Sequence, residues 1–197
     1  DEALREAEMS LQMDRIDFGA MVEQYWLNGG TAFREMLGDD AQTWMEIALD
    51  YAHAGLFDEA IRLLEQAPAA DPMVRYYAGW IHLQHGDRVS ASKCFDQAVT
   101  MSPDYCFPHR VEAVPALEVA IDLHPADARA PYYLGNFWYA HRRYDEAIAC
   151  WERAAALDSD FPTVQRNLGL SYMNKCGDAQ AAQAAYERAF ALDPTDS

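Results

Sequence analysis

Residues 128–158 read ARAPYYLGNFWYAHRRYDEAIACWERAAALD, and the repeat pattern of the chain is clearest in this segment. Apolar residues recur at helical spacing on both sides of a polar turn at 141–143, which predicts two helices joined as a hairpin. The pattern returns 34 positions later, where Gly135 is matched by Gly169. A repeat of this length predicts a stacked array of helix hairpins, a class of fold that binds partners on a concave surface.

Small and large residues occupy different places in this repeat. Gly135 and Ala147 are small where the two helices must cross closely, and Trp138 and Trp151 are large where a gap must be filled. We expect Trp138 to fill the gap within its hairpin. This arrangement resembles the tetratricopeptide repeat family, and the resemblance implies an all-α fold, a right-handed superhelix built from antiparallel helix hairpins.

The same resemblance organises the chain as a single array over residues 1–197. Four segments match the repeat pattern, namely 41–71, 72–103, 128–161 and 162–194. Three segments depart from it: 1–14 resembles the second helix of an incomplete repeat, 15–40 a degenerate hairpin, and 104–127 a shortened repeat. We therefore expect a fragment of a longer array, although 2–14 is also consistent with a dedicated capping helix.

Three stretches are more specific than general repeat sequence, namely 102–110, 130–136 and 161–169. They look like the repeat region on the carboxyl side of large bacterial multidomain proteins of unsettled function. This second resemblance implies no particular activity.

The charge balance excludes several classes of partner. The chain has 15 Lys and Arg against 32 Asp and Glu, a formal net charge of −17. Nucleic acid and anionic lipid both demand a basic surface, so we predict neither as a partner. The acidic excess either keeps the protein soluble or attracts a basic partner. No apolar run approaches the roughly 20 residues that a membrane helix needs.

The cysteines and histidines give no indication of chemistry. The four cysteines are scattered without a CxxC pair, which predicts reduced thiols and a cytoplasmic location. His82 and His85 have a spacing that suits a metal ion, but no acidic residue or cysteine completes a set, so we favour a structural role. Phosphate-binding loops and known catalytic motifs are absent from the sequence. We predict no catalytic residue, no metal site, no cofactor and no enzymatic activity.

The resemblance implies a binding groove lined by the first helix of each repeat. Aromatic residues and arginine on that face are the types that dominate binding hot spots. The expected groove residues are Tyr76, Trp80, Arg129, Tyr132, Asn136, Tyr139, Arg166, Asn167 and Leu170. An alternative is that the segment 104–127 or another domain covers these aromatics as core.

Asn136 and Asn167 match the peptide-binding members of the family more specifically than the other groove residues do. They occupy positions 9 and 6 of successive repeats, where family members that hold a peptide use asparagine. An amide offers both a donor and an acceptor, which matches a peptide unit. Family members that clamp a terminal carboxylate also use a lysine where Tyr132 stands here, so we favour backbone binding over a carboxylate clamp.

Three functions follow from these observations. The leading one is a non-catalytic scaffold that binds a protein or an extended peptide in the groove. The second is an accessory region of a larger multidomain protein, with or without an enzymatic part. The third is a self-association module giving a homo-oligomer, because the ends of such arrays expose apolar faces.

Overall fold

The computed structural model describes residues 2–29, 32–68 and 70–195. These residues form twelve α-helices and one π-helix, and no strand occurs among them. The expectation of an all-α fold of helix hairpins is confirmed. In chain order the helices are α1 (Glu2–Met13), α2 (Phe18–Asn28), α3 (Ala32–Leu37), α4 (Ala41–His53), α5 (Phe57–Gln66), α6 (Pro72–Gln84), α7 (Arg88–Val99), α8 (Ala113–Leu123), α9 (Arg129–Ala140), α10 (Tyr144–Leu157), α11 (Pro162–Ser171), π1 (Tyr172–Cys176) and α12 (Ala179–Leu192).

The chain forms two compact units, residues 1–69 and 70–197. In the first unit α1 packs on α2, and α4 packs on α5. Asp17 and Asp40 begin α2 and α4 by accepting backbone N–H groups of the first turn. The division into repeats over the whole chain stays a prediction.

The second unit contains three hairpins, α6–α7, α9–α10 and α11–α12. Helix α8 packs on both α6 and α9, and α10 packs on α11. Asp71, Asp87 and Asp178 cap α6, α7 and α12, so the short turns leave few helix amides without a partner.

One contact recurs in the three hairpins of the second unit, between a glycine of the first helix and an aromatic ring of the second. A Cβ atom on Gly135 would lie 2.5 Å from ring atoms of Trp151, so a larger residue there would displace the ring. Trp151 is 3% exposed and its Nε1 donates to the carbonyl of Tyr132 at 3.2 Å. The pairs are Gly79 with Phe95, Gly135 with Trp151, and Gly169 with Tyr186.

Trp138 has a different place from the one we expected. Its side chain is half-buried, and the guanidinium of Arg143 lies 4.5 Å from its ring centroid. The gap opposite Gly135 is filled by Trp151, because the residue on the second helix faces the glycine directly. The expectation that Trp138 fills this gap is therefore wrong.

The shortened repeat at 104–127 is half loop and half helix. Residues 100–112 contain no helix, and α8 then runs from Ala113 to Leu123. Pro115 lies in the first turn of α8, where a helix needs no backbone donor, so it does not break the helix. The loop 100–112 thus follows the second helix of one hairpin and brings irregular backbone next to α9.

Candidate peptide-binding site

Four of the predicted groove residues line one cavity in the second unit, with a volume of about 610 Å³. Tyr132 and Asn136 come from α9, and Arg166 and Asn167 come from α11. The remaining lining residues come from the loop 100–112, the start of α11 and the segment after α12; they are Pro103, Asp104, Tyr105, Phe107, Pro162, Thr163, Asp193 and Thr195.

The two asparagines meet in this cavity. Asn167 Nδ2 donates to Asn136 Oδ1 at 3.4 Å, which is long for a hydrogen bond. Asn136 Oδ1 also accepts from Trp151 Nε1 at 3.1 Å. The indole nitrogen is only a donor, so it fixes which end of the Asn136 amide faces it. The Asn136 Nδ2 atom is buried and makes no hydrogen bond of normal geometry within the part of the chain that the structure describes, although this amide lies near enough to the Tyr132 phenol to lower its pKa.

Tyr132 forms the apolar base of the site. It is 5% exposed, and its ring centroid lies 4.8 Å from that of Phe161. Burial raises the pKa of its phenol, and the neighbouring Asn136 amide and the charge of Arg166 oppose that rise. The phenol therefore stays protonated at neutral pH, and the charged groups beside it belong to Arg166 and Asp104.

Arg129 holds the loop instead of lining the cavity. Its Nη1 donates to the carbonyl of Met101 at 3.3 Å, and its guanidinium lies 5.2 Å from the ring centroid of Phe161. Arg129 therefore connects the start of α9 to the loop 100–112.

Tyr76 lies in the interior of the second unit, and this corrects its predicted place in the groove. Its hydroxyl donates to Asp127 Oδ2 at 2.8 Å, and its ring meets that of Tyr133 edge to face. Asp127 is 3% exposed and also accepts the backbone N–H of Arg129, so it caps α9 as well. The helix α8 and its flanking turns bring Asp127 over Tyr76, as expected if the irregular segment covers part of the groove.

The other three predicted residues do not line the cavity. Trp80 is half-buried and Leu170 is 41% exposed. Tyr139 packs against its own hairpin, with its ring centroid 5.4 Å from that of Trp151 and 5.1 Å from that of Tyr144. A role for these three in binding stays a prediction.

Eight of the lining residues were not predicted from the sequence, and two of them are aromatic. Tyr105 and Phe107 stand on the loop 100–112 and are 93% and 70% exposed. The only signal was two aromatics in a segment without helical periodicity, which does not say which way either side chain points.

A Ser–His–Asp row also occurs in the second unit. His124 Nε2 lies 3.1 Å from Ser92 Oγ, and His124 Nδ1 lies 3.3 Å from Asp96 Oδ1. Ser92 lies within α7, whose backbone amides bond along the helix and offer no donor to a developing oxyanion. Asp96 is 67% exposed. These three side chains therefore connect α7 to the end of α8.

Helix hairpins that repeat one glycine–aromatic contact, with a cavity between successive first helices, define an α-helical repeat protein of the interaction-scaffold class. The chain is a tetratricopeptide repeat protein. Sequence profiles described as "Tetratricopeptide repeat" match residues 45–105 and 167–196, and one described as "TPR repeat" matches residues 139–175.

Curated relatives contain similar repeats within much longer chains. The human protein named Superkiller complex protein 3 is 27% identical over 158 residues, which cover 76% of this chain and 9% of that protein. The Xenopus laevis protein named Tetratricopeptide repeat protein 37 is 28% identical, over 71% of this chain and 10% of its own. The chain thus spans about a tenth of the length of these relatives.

Solved structures of the protein MamA also align with the chain. One aligns with 93% of this chain and 92% of its own at 19% identity, with a TM-score of 0.43. MamA from Desulfovibrio magneticus RS-1 aligns with 82% of this chain and 99% of its own at 24% identity, with a TM-score of 0.39. Superpositions with TM-scores below 0.5 carry no conclusion about function. Within the described ranges, none of the helices is long and apolar enough to span a membrane.

Proposed function

We propose that the chain is a non-catalytic scaffold that binds a partner protein through an extended peptide segment in the cavity between α9 and α11. The observation that carries this proposal is the meeting of Asn136 and Asn167 in that cavity, with one buried amide nitrogen left without an acceptor. A buried donor without a partner is costly, and a ligand carbonyl relieves that cost once the side chains that cover the donor move aside.

The chemistry of the site suits a peptide unit. A peptide offers one carbonyl and one N–H, and the two asparagine amides offer donors and acceptors in the same cavity. The Asn136–Asn167 bond is long enough that a ligand can replace it at little loss. Tyr132 supplies an apolar contact and Arg166 a positive charge beside the amides.

The relatives and the composition support a scaffold role. One relative is named as a complex protein, which agrees with a role in assembly. All four cysteines are free thiols, and we place the protein in the cytoplasm on that ground. The net charge of −17 favours partners with neutral or basic segments, and neither nucleic acid nor a membrane surface.

The test starts from a phage-displayed library of random linear peptides, panned against the purified chain. Selected peptides are then synthesised, and their affinities are measured by fluorescence anisotropy. The double variant Asn136→Ala/Asn167→Ala should bind more than about tenfold more weakly, since two amide contacts are lost. Asn174→Ala, an exposed asparagine outside the cavity, is the matched control.

The proposal fails if the double variant, shown by circular dichroism to be folded, binds the selected peptides as tightly as the parent. It also fails if Asn174→Ala weakens binding to the same extent, because the effect would then not be specific to the cavity. Melting curves of each variant separate lost binding from lost stability.

A second candidate function is self-association. Four large apolar side chains of the last hairpin are exposed, namely Leu170 in α11, Met173 in π1, and Tyr186 and Phe190 in α12. Light scattering at increasing protein concentration tests this, with Phe190→Ser expected to shift the mass toward the monomer. The great length of the relatives also supports a third candidate, an accessory region of a larger multidomain protein, with or without an enzymatic part.

A further inference from the structure

The loop 100–112 alternates between exposed and buried side chains at its centre. Tyr105 and Phe107 are exposed, whereas Cys106 and Pro108 are buried. From Cys106 to Pro108 this alternation is what an extended backbone gives when one face lies on the protein and the other faces outward, and Tyr105 precedes it in a turn with left-handed backbone. The two outward side chains are large aromatics, and both line the cavity that contains Asn136 and Asn167.

The loop is anchored by two contacts to the rest of the second unit. Arg129 donates to the carbonyl of Met101, and the Cys106 thiol donates to Asp71 Oδ1 at 3.6 Å. Cys106 is 2% exposed, so its side chain is fully packed. Tyr105 has a φ of 58°, which residues other than glycine rarely adopt. The anchors thus hold a backbone conformation that keeps Tyr105 and Phe107 pointed away from the core.

Exposed aromatics on an anchored backbone are typical of binding hot spots. Large rigid side chains lose little conformational entropy on binding, and they bury much apolar area against a partner. Here they stand beside polar groups that suit a peptide backbone. The charges at the cavity are mixed, with Arg166 against Asp104 and Asp193, so they favour neither sign strongly.

We propose that Tyr105 and Phe107 form an aromatic wall that selects a large apolar side chain of the peptide whose backbone Asn136 and Asn167 hold. This inference rests on the proposed function and adds the class of ligand to it. The ligand is an extended segment with one aromatic or large aliphatic residue and neutral or basic flanks. Acidic flanks are disfavoured, because the protein itself carries a net charge of −17.

The test uses the peptides selected from the random library. We expect them to share an aromatic or large aliphatic residue, and its replacement by alanine should weaken binding more than about tenfold. The double variant Tyr105→Ser/Phe107→Ser should have a similarly reduced affinity for the unsubstituted peptide. The same double variant should lose little further affinity for the peptide in which the large residue is replaced by alanine, because the aromatic wall and that side chain form one contact. Val111→Ser is the matched control, since Val111 is 70% exposed on the same loop but does not line the cavity.

The outcomes distinguish the two proposals. If the asparagine variant loses binding and the Tyr105/Phe107 variant does not, the peptide site stands and the aromatic wall is refuted. If neither variant loses binding, the proposed function itself fails. If Val111→Ser weakens binding as much as the wall variant, the loop acts through its general structure and the selective wall is refuted. Unchanged melting of the wall variant is expected, because both side chains are exposed.

Discussion

The hairpin α9–α10 and the loop 100–112 lie side by side in the second unit and are stabilised in opposite ways. The hairpin is held by repeated packing, in which Trp151 fills the space left by Gly135. The loop is held by individual polar contacts, from Arg129 to Met101 and from Cys106 to Asp71. The repeat therefore supplies a scaffold, and the departure from it adds side chains that the scaffold cannot place.

A single substitution should have its largest effect on stability in the hairpin. Trp151→Ala should destabilise the protein by about 3–5 kcal/mol, because it leaves a cavity opposite Gly135 in a buried site. Trp138→Ala should cost only about 1 kcal/mol, since this side chain is half-buried. Urea unfolding followed by circular dichroism measures both. Equal losses for the two variants would show that the glycine contact does not dominate the hairpin.

The polar contacts around the irregular segment should have a smaller effect. Asp127→Ala should cost about 1–3 kcal/mol, because it leaves the buried hydroxyl of Tyr76 without an acceptor and removes a cap from α9. Tyr76→Phe should cost less, as the carboxylate keeps its backbone donors. The double variant should therefore lose less than the sum of the single losses in the same unfolding measurement. Strict additivity would contradict a direct bond between the two side chains.

Thiol labelling tests the hairpin and the loop without a change of sequence. Burial raises the pKa of Cys150 in α10 to about 11, and burial raises that of Cys106 in the loop further. The thiolate is the reactive form, so its fraction grows as the pH rises toward the pKa. At pH 8 we expect the exposed Cys176 to react first with a disulfide reagent, followed through peptide masses. Raising the pH should accelerate Cys150, whereas Cys106 should stay slow; rapid labelling of Cys106 would mean that the loop is not anchored.

Much of the scaffold could be predicted from the sequence because its packing is periodic. The spacing of Gly135 and Ala147 predicts a close helix crossing, and the repeat register predicts that Asn136 and Asn167 converge. Periodicity does not decide which of Trp138 and Trp151 fills the gap, since both are large and lie near the crossing.

The contacts of the irregular segment could not be predicted in this way. Tyr76 and Asp127 are 51 positions apart, and Arg129 and Met101 are 28 apart, with no repeat relation between them. Side-chain direction in a loop depends on such individual contacts. The aromatic wall could therefore not be predicted from the sequence, because it depends on the anchored backbone around Cys106.

The glycine–aromatic contact has a consequence for how such arrays are recombined. Each glycine on a first helix is matched by its own ring on the second, and the three rings are those of phenylalanine, tryptophan and tyrosine. A gene crossover within a hairpin separates a glycine from the aromatic ring that packs on it, whereas a crossover between hairpins keeps each glycine with its ring. The heritable module of the second unit is therefore the whole hairpin, and chimeras joined at the turns between hairpins should fold where chimeras joined inside them do not.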